Sequence, residues 1–128
     1  MKRELISSAS PFEPAIGFSR AVRVGPHIIV SGTAPIAATG GTACPGDAYG
    51  QTKRCLEIIE QAVNQGGGKR ENIVRTRIFL KDIKDWENAG RAHGEFFKDI
   101  RPAATMVQIV QAIDPSWLVE IEADAIVP

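Results

Sequence analysis

The stretch VEIEADA, residues 119–125, places an acidic residue at every second position between apolar neighbours. The acidic residues are Glu120, Glu122 and Asp124. Successive side chains of a β-strand point to opposite faces of the sheet, so the stretch predicts a strand with one apolar and one acidic face. The apolar face suits a packed core. The acidic face needs water, a basic partner or a ligand, because an unpaired buried charge is too costly.

Four other segments have the composition and patterning of β-strands. They are residues 18–24, 27–32, 73–81 and 104–111. The first and third alternate in hydrophobicity, whereas the second and fourth are apolar on both faces. Gly25 and Pro26 predict a turn that joins the first two strands into a hairpin. The last strand, residues 117–127, contains VEIEADA.

Alternation gives the strand at residues 73–81 a basic face. Arg75 and Arg77 fall on this face, and Val74 falls on the opposite one. The two arginines are therefore the candidates to pair with Glu120 and Glu122 on the last strand.

Helical spacing of apolar residues predicts two helices. The first follows Asp47 and ends at three consecutive glycines, and the second has Asp85 as its N-cap and ends before Pro102. The element order β, β, α, β, α, β, β predicts an α+β fold with one mixed sheet and both helices on a single face. With 128 residues the chain is predicted to form one domain, residues 1–128.

The face of this sheet without helices is predicted to carry apolar residues that must be shielded from water. Two of the predicted strands are apolar on both faces, and two helices can cover only one face. Monomeric proteins rarely leave large apolar patches exposed. The sequence therefore predicts a homo-oligomer in which another copy of the chain covers the open face.

Composition and charge exclude several classes of function. The chain has 15 basic and 15 acidic residues, so no overall field favours nucleic acid or an anionic membrane as a partner. No apolar run is long enough for a membrane span or a secretory signal, which predicts a cytoplasmic protein. His27 and His93 have no ligand at zinc-site spacing, so we expect no metal and no cofactor. His93 is interpreted as a semi-buried, hydrogen-bonded side chain on the second helix.

Several motifs together resemble the RidA/YjgF family, also known as the endoribonuclease L-PSP family. They are GFSRAVRVG, VSGTAP, the helix ending at GGG, VRTRIFLKD, EFF, RPAATMV and VEIEADA, and they span nearly the whole chain in order. The resemblance implies a chorismate-mutase-like α+β fold assembled as a homotrimer. It also implies three sites for small metabolites, one in each cleft between subunits.

The resemblance also implies which residues form the site. In deaminating members, an arginine after a Pro-Ala pair holds the carboxylate of an imine or enamine acid, and a glutamate on the last strand positions water. Here Glu120 matches the glutamate and is the implied catalytic residue, but Ala104 occupies the arginine position. The implied substrate-binding positions are Phe18, Ser31, Gly32, Ala104, Thr105 and Glu120.

Three functions follow from these residues. The preferred one is a branch of the family without the arginine, whose cleft binds a small neutral or cationic metabolite that Glu120 could hydrolyse at an imine, enamine or other C–N bond. The first alternative is a 2-iminobutanoate/2-iminopropanoate deaminase in which Arg20, Arg77 or Arg101 replaces the missing anchor. The second alternative is a non-catalytic binding or RNA-acting protein.

Ala104→Arg should tighten the binding of small 2-oxo acids, because a guanidinium donates two parallel charge-assisted hydrogen bonds to a carboxylate. The gain should be about 1.5–3 kcal/mol, or roughly tenfold or more in affinity. Isothermal titration calorimetry with 2-oxobutanoate measures it. Ala103→Arg is the matched control, because its side chain points to the opposite face of the strand. Equal affinity in the Ala104→Arg variant and the wild type would contradict the implied position.

Overall fold

The computed structural model describes residues 1–128 and contains one six-stranded sheet with two long helices. The strands are β1 (Arg3–Ile6), β2 (Ala21–Val24), β3 (His27–Thr33), β4 (Ile73–Leu80), β5 (Ala103–Gln108) and β6 (Val119–Ile126). The helices are α1 (Phe12–Ile16), α2 (Ala48–Gln65) and α3 (Trp86–Phe97), with short 3-10 helices at Arg70–Asn72 and Ile83–Asp85. No helix has the combination of length and apolar character that crossing a membrane requires.

The sheet has the strand order β1-β2-β3-β6-β4-β5. Only β4 and β5 run parallel, and the other neighbours are antiparallel. The crossover between the parallel strands contains α3, as a parallel connection requires. The last strand therefore lies in the middle of the sheet. The prediction of one mixed sheet with both long helices on one face is confirmed.

The core forms between the apolar face of β6 and α2. Val119, Ile121, Ala123 and Ala125 are each at most 1% exposed. They belong to one cluster of 18 buried residues that includes the apolar stripe of α2. The Asp47 side chain accepts a hydrogen bond of 3.1 Å from the backbone of Gly50, so it caps α2 as predicted.

The three glycines end α2 for a conformational reason. Gly67 has a φ of 91°, in the left-handed region that side chains other than glycine rarely adopt. Gly66 packs closely, since a Cβ there would lie 3.0 Å from the side chains of Ile6 and Ile28. The glycines thus reverse the chain and let the helix end approach the sheet.

The sequence did not predict β1 or α1. Every residue of β1 except Ile6 is exposed, and Arg3 and Glu4 are charged, because the strand lies at the edge of the sheet and pairs only with β2. Such a strand lacks the apolar alternation that identifies a half-buried one. Helix α1 has only five residues and ends at Gly17, which has a φ of 91°. It is too short for helical periodicity to show.

A bulge in β4 changes which of its first side chains face the core. The register with β6 shifts between Ile73 and Arg75, so Ile73 is buried and Val74 is 42% exposed. The predicted alternation, with Val74 on the face opposite Arg75 and Arg77, therefore fails at the start of the strand. Arg77 lies opposite Glu122, as predicted, but Arg75 lies opposite Asp124 rather than either glutamate.

Two of the predicted strand boundaries and one predicted helix cap also differ. The first hairpin strand begins at Ala21 rather than at residue 18, and β5 ends at Gln108 rather than at residue 111. Asp85 precedes α3 but its side chain makes no capping hydrogen bond. Asp82 instead accepts a hydrogen bond from the backbone of Lys84 and caps the preceding 3-10 helix.

Ile121→Ala should reduce the free energy of unfolding by about 2–5 kcal/mol, because it leaves a cavity between β6 and α2. Urea denaturation at one fixed protein concentration measures the loss, since any association of chains would shift the midpoint. Ile16→Ala is the control, because Ile16 is 60% exposed and its truncation should cost about 0.5 kcal/mol or less. Equal losses in the two variants would contradict the assigned core.

Candidate functional site

A cavity of about 900 Å³ lies between the N-terminal segment, α2 and the ends of β3 and β6. Phe18, Gly32 and Glu120, three of the predicted site residues, line it together with Arg20. The remaining wall comes from residues 7–12, the loop at residues 34–40 and the exposed side of α2. The volume is that of a cleft for a small organic molecule.

Glu120 is half-buried on the face of β6 that points away from the helices. Its cross-strand partner is Phe79, so the sheet offers it no basic neighbour of the kind that Glu122 has. Burial raises the pKa of the Glu120 carboxyl, Arg20 opposes that rise and Glu122 adds to it. A carboxyl in a cavity can accept a proton and return it.

Gly32 makes room for this carboxylate. A Cβ at residue 32 would lie 3.2 Å from Oε2 of Glu120. The glycine lies where the register between β3 and β6 shifts, between Val30 and Thr33. The bulge and the missing side chain together let Glu120 lie against the backbone of β3 at the cavity wall.

Arg20 is buried beside the cavity, with 7% of its surface exposed. Its Nη1 donates hydrogen bonds to the carbonyl oxygen of Gly32 at 2.9 Å and to Oγ1 of Thr33 at 3.1 Å. The guanidinium carbon lies 5.4 Å from the centre of the Phe18 ring. Burial lowers the pKa of Arg20, and the charges of Glu13 and Glu120 oppose that change. The side chain stays a cation because the ordinary pKa of arginine is far above neutral.

Glu13 fixes the segment that forms one wall of the cavity. Its carboxylate accepts hydrogen bonds from the hydroxyl groups of Ser7 and Ser8 and from the backbone N–H of Ser8. Burial alone would raise the pKa of Glu13, but these serine hydrogen bonds and the charge of Arg20 lower it overall. Glu13 therefore remains ionised and ties α1 to the preceding chain.

Ser31 has a structural contact in this chain. Its Oγ donates a hydrogen bond of 2.7 Å to the carbonyl oxygen of Ser19, and its backbone N–H donates to the carbonyl oxygen of Arg20. Ser31 does not line the cavity. The serine thus holds the segment that carries Phe18 and Arg20 against β3.

Ala104 and Thr105 lie on β5, apart from the cavity. Ala104 pairs with Thr76 of β4, whose side chain faces the helices, whereas Glu120 projects from the opposite face of the sheet. Thr105 is exposed at the sheet edge and accepts a hydrogen bond of 2.9 Å from Arg75. Neither Ala104 nor Thr105 lines the cavity that Glu120 lines within one chain.

Two arginines considered as replacement anchors are placed away from the cavity. Arg77 lies 3.4 Å from a carboxylate oxygen of Glu122 and 3.2 Å from one of Asp124, so it is already paired. Arg101 is exposed and has a φ of 49° just before Pro102. Of the three candidates, only Arg20 lines the cavity with Glu120.

Other reactive side chains lie elsewhere. His93 contacts Oγ1 of Thr76 through Nε2 at 2.8 Å and packs on Phe97, which confirms the semi-buried, hydrogen-bonded interpretation. Burial lowers the pKa of His93, so it is neutral at neutral pH. Cys55 is fully buried beneath β6 and burial raises the pKa of its thiol. No group of three potential metal ligands is present.

One residue that holds the cavity wall in place and one that lines the cavity had no signal in the sequence. Glu13 falls in a segment without periodicity, and its role depends on serines that only the folded chain brings near. Trp117 is 5% exposed, lines the cavity and packs edge-on against Phe12. A single tryptophan before a strand gives no indication of its partner 105 residues earlier, since such contacts are set by tertiary packing.

Glu120→Gln should be more stable than the wild type near pH 7. The carboxyl has a higher pKa in the folded chain than in the unfolded chain, so its ionisation costs folding free energy. The advantage should fall as the pH drops, and should vanish below the pKa of the unfolded carboxyl, where both forms are neutral. Urea denaturation between about pH 7 and pH 3 measures the difference.

Glu122→Gln is the control for this experiment. It removes a charge from the same face of β6 but breaks the ion pair with Arg77. It should therefore be less stable than the wild type near pH 7, by up to about 1 kcal/mol. A pH-independent difference between Glu120→Gln and the wild type would contradict the assigned environment of Glu120.

Known proteins are similar to this chain in both sequence and fold. The family model for endoribonuclease L-PSP matches residues 8–127. A crystal structure from Mycobacterium tuberculosis, of a member of the YjgF/YER057c/UK114 family, has a TM-score of 0.89 and 43% identity, covering 98% of this chain and 100% of that chain.

Two curated relatives extend the comparison. The 3-aminoacrylate deaminase RutC of Acinetobacter baylyi is 30% identical over 125 residues, which is 98% of each chain. A RutC family protein of Pyrococcus abyssi is 31% identical over 125 residues, again 98% of each chain. The sequence match over nearly the whole length and the mixed sheet with helices on one face indicate the same family. This chain belongs to the RidA/YjgF family, also called the endoribonuclease L-PSP family, and has its chorismate-mutase-like fold.

Proposed function

We propose that this chain assembles as a homotrimer and binds a small metabolite in each cleft between subunits, where Glu120 positions water to hydrolyse a C–N bond. One observation carries the proposal. Ala104 and Thr105 lie on the edge strand β5, which β4 separates from Glu120 on β6, and Ala104 lies on the opposite face of the sheet from Glu120. The family resemblance implies a site that contains Glu120 together with Ala104 and Thr105. We propose that two copies of the chain supply these two groups of residues.

The open face of the sheet supports the assembly. Ile29 is 53% exposed and Val107 is 42% exposed, although both lie on strands. Arg77, Glu122 and Asp124 form an ion-pair cluster between them that is only partly exposed. A surface with apolar residues around a satisfied charge cluster suits contact with another copy.

The chemistry of Glu120 supports hydrolysis. A partly buried carboxyl with a raised pKa can take a proton from water as it attacks and then return it to the leaving nitrogen. No metal or cofactor is part of this mechanism. The residues 1–128 act in it as one domain, because a single buried cluster joins α2, α3 and the sheet.

An imine or enamine deaminase is the second candidate, and the RutC relative favours it. That protein is named a 3-aminoacrylate deaminase and matches 98% of this chain. Ala104 argues against a simple transfer of that activity, because the edge strand has no guanidinium there to hold an acid. Rapid release of ammonia from 2-iminobutanoate by the wild type would favour this candidate over hydrolysis of a neutral or cationic substrate.

Light scattering of the purified chain should give a molar mass three times that of one chain.

Glu120→Gln should reduce ammonia release from a panel of small imines and enamines by about 100-fold or more, because the proton acceptor is lost. Glu122→Gln should retain activity, since that carboxylate pairs with Arg77. A monomeric mass, or full activity in Glu120→Gln, would contradict the proposal.

A further inference from the structure

Gln51 is a buried polar side chain that does not itself line the cavity. It lies in the first half of α2, and 0% of its surface is exposed. Its Nε2 donates hydrogen bonds to the carbonyl oxygens of Ser116 at 3.1 Å and Cys44 at 3.4 Å. Its Oε1 accepts a hydrogen bond of 2.8 Å from the backbone N–H of Leu118. Both ends of the buried amide therefore hold backbone groups that would be costly to leave unpaired.

The partners of Gln51 belong to two segments that are far apart in the sequence. One is the wall loop, residues 34–44, and the other is the wall turn, residues 113–118, which leads into β6. Both segments line the cavity, the loop with Ile36 among others and the turn with Trp117. Gln51 therefore joins α2 to two parts of the cavity wall.

Two further contacts fix the wall loop. Oγ1 of Thr42 lies 2.7 Å from Oγ of Ser116, a hydrogen bond between the loop and the turn. Nε of Arg54 on α2 donates a hydrogen bond of 2.6 Å to the carbonyl oxygen of Ile36. Water can replace the exposed contact of Thr42, but it has no access to the side chain of Gln51. The loss of Gln51 would therefore leave its partners without hydrogen bonds.

Side chains rather than strand pairing join the wall loop to the wall turn. No backbone hydrogen bond and no strand pair connects the two segments. Segments with few such bonds open at a low free-energy cost. A ligand that binds between mobile segments loses affinity, because it must order them as it binds. Gln51 reduces this loss by ordering both segments before the ligand arrives.

We propose that Gln51 is a positioning residue of the cavity: it holds the wall loop against the wall turn and supports ligand binding without touching the ligand. The inference rests on the proposed function for the reaction and adds a residue that acts on it through the wall. The strand that carries Glu120 is held independently by β3 and β4. Loss of Gln51 therefore weakens binding more than it slows the hydrolysis of bound substrate.

Acrylamide quenching of Trp117 fluorescence measures the state of the wall without a ligand. The background protein is Trp86→Phe, which removes the only other tryptophan, itself 54% exposed. Trp117 is 5% exposed, so its fluorescence should be quenched weakly in this background. Gln51→Leu should be quenched severalfold more strongly, because the wall turn loses two hydrogen bonds to α2.

Val63→Ala is the matched control. It truncates a buried side chain near the other end of α2 and should leave the quenching of Trp117 unchanged. Thr42→Val tests the same wall with a milder change, because it removes only the exposed hydroxyl contact with Ser116. It should raise the quenching in the same direction but by less, and it decides the question if Gln51→Leu does not fold.

Gln51→Glu adds a pH dependence that a change in packing would not produce. The protonated carboxyl keeps one donor, whereas the ionised carboxylate has none and faces two backbone carbonyl oxygens. Burial raises the pKa of such a carboxyl. The quenching of Trp117 should therefore approach that of the background protein as the pH falls. Asp47 and Asp114, which adjoin the joined segments, titrate in both proteins, so a comparison at each pH removes their effect.

Ammonia release connects the wall to the reaction. On an imine or enamine that the wild type hydrolyses, Gln51→Leu should raise KM by about tenfold, because the substrate must order the wall as it binds. It should leave kcat nearly unchanged, as expected for a loss of binding that is uniform along the reaction. Val63→Ala should leave KM unchanged. A merely structural role would lower the amount of active protein, and hence the apparent kcat, without changing KM.

The outcomes separate the two proposals. Equal quenching in Gln51→Leu and the background protein, an equal rise in Val63→Ala, quenching of Gln51→Glu that does not depend on pH, or an unchanged KM would overturn the role of Gln51. Ammonia release by the wild type would then leave the proposed function standing. If the quenching behaves as expected but no imine or enamine releases ammonia, the proposed function fails and the role of Gln51 in the wall stands.

Discussion

The burial of one face of β6 under α2 is the constraint on which the rest of the structure depends. Four apolar residues at alternate positions lie in the core, so the residues between them must project from the other face. β6 lies between β3 and β4, so its outward side chains lie in the middle of the sheet rather than at an edge. The acidic row is fixed on a central strand and has to be compensated there.

The three acidic side chains of β6 differ in how their charges are balanced. Glu122 and Asp124 share Arg77, which lies close to both across the strand pair. Glu120 lies opposite Phe79 instead, and Gly32 opens a space beside its carboxylate. The carboxylate without a cross-strand partner is the one that reaches the cavity. Pairing thus distinguishes Glu122 and Asp124 from Glu120 on the same strand.

The N-terminal segment completes the cavity by an unusual distribution of hydrogen bonds. Serines rather than Arg20 satisfy Glu13, and backbone and threonine oxygens satisfy only one nitrogen of Arg20. The nearest charges therefore leave the guanidinium short of a partner. A buried cation in this state has a stability cost.

The sequence by itself determined the pattern of elements, because hydrophobic periodicity and glycine and proline positions are local properties. It established α2, the last strand with its two faces, the mixed sheet and the family. It missed β1, α1 and the bulge that buries Ile73 in place of Val74, because an edge strand, a single helical turn and a register shift leave no periodic signal.

Only the tertiary structure decided the surroundings of the candidate site residues. Arg20, Arg77 and Arg101 are equivalent cations in the sequence, yet the fold pairs one, exposes one and buries one beside Glu120. The same holds for Ser31, whose hydroxyl the fold directs to Ser19. The physical reason is that pairing, burial and pKa depend on neighbours distant along the chain. Those neighbours meet only when the apolar face of β6 is packed and the register of the sheet is set.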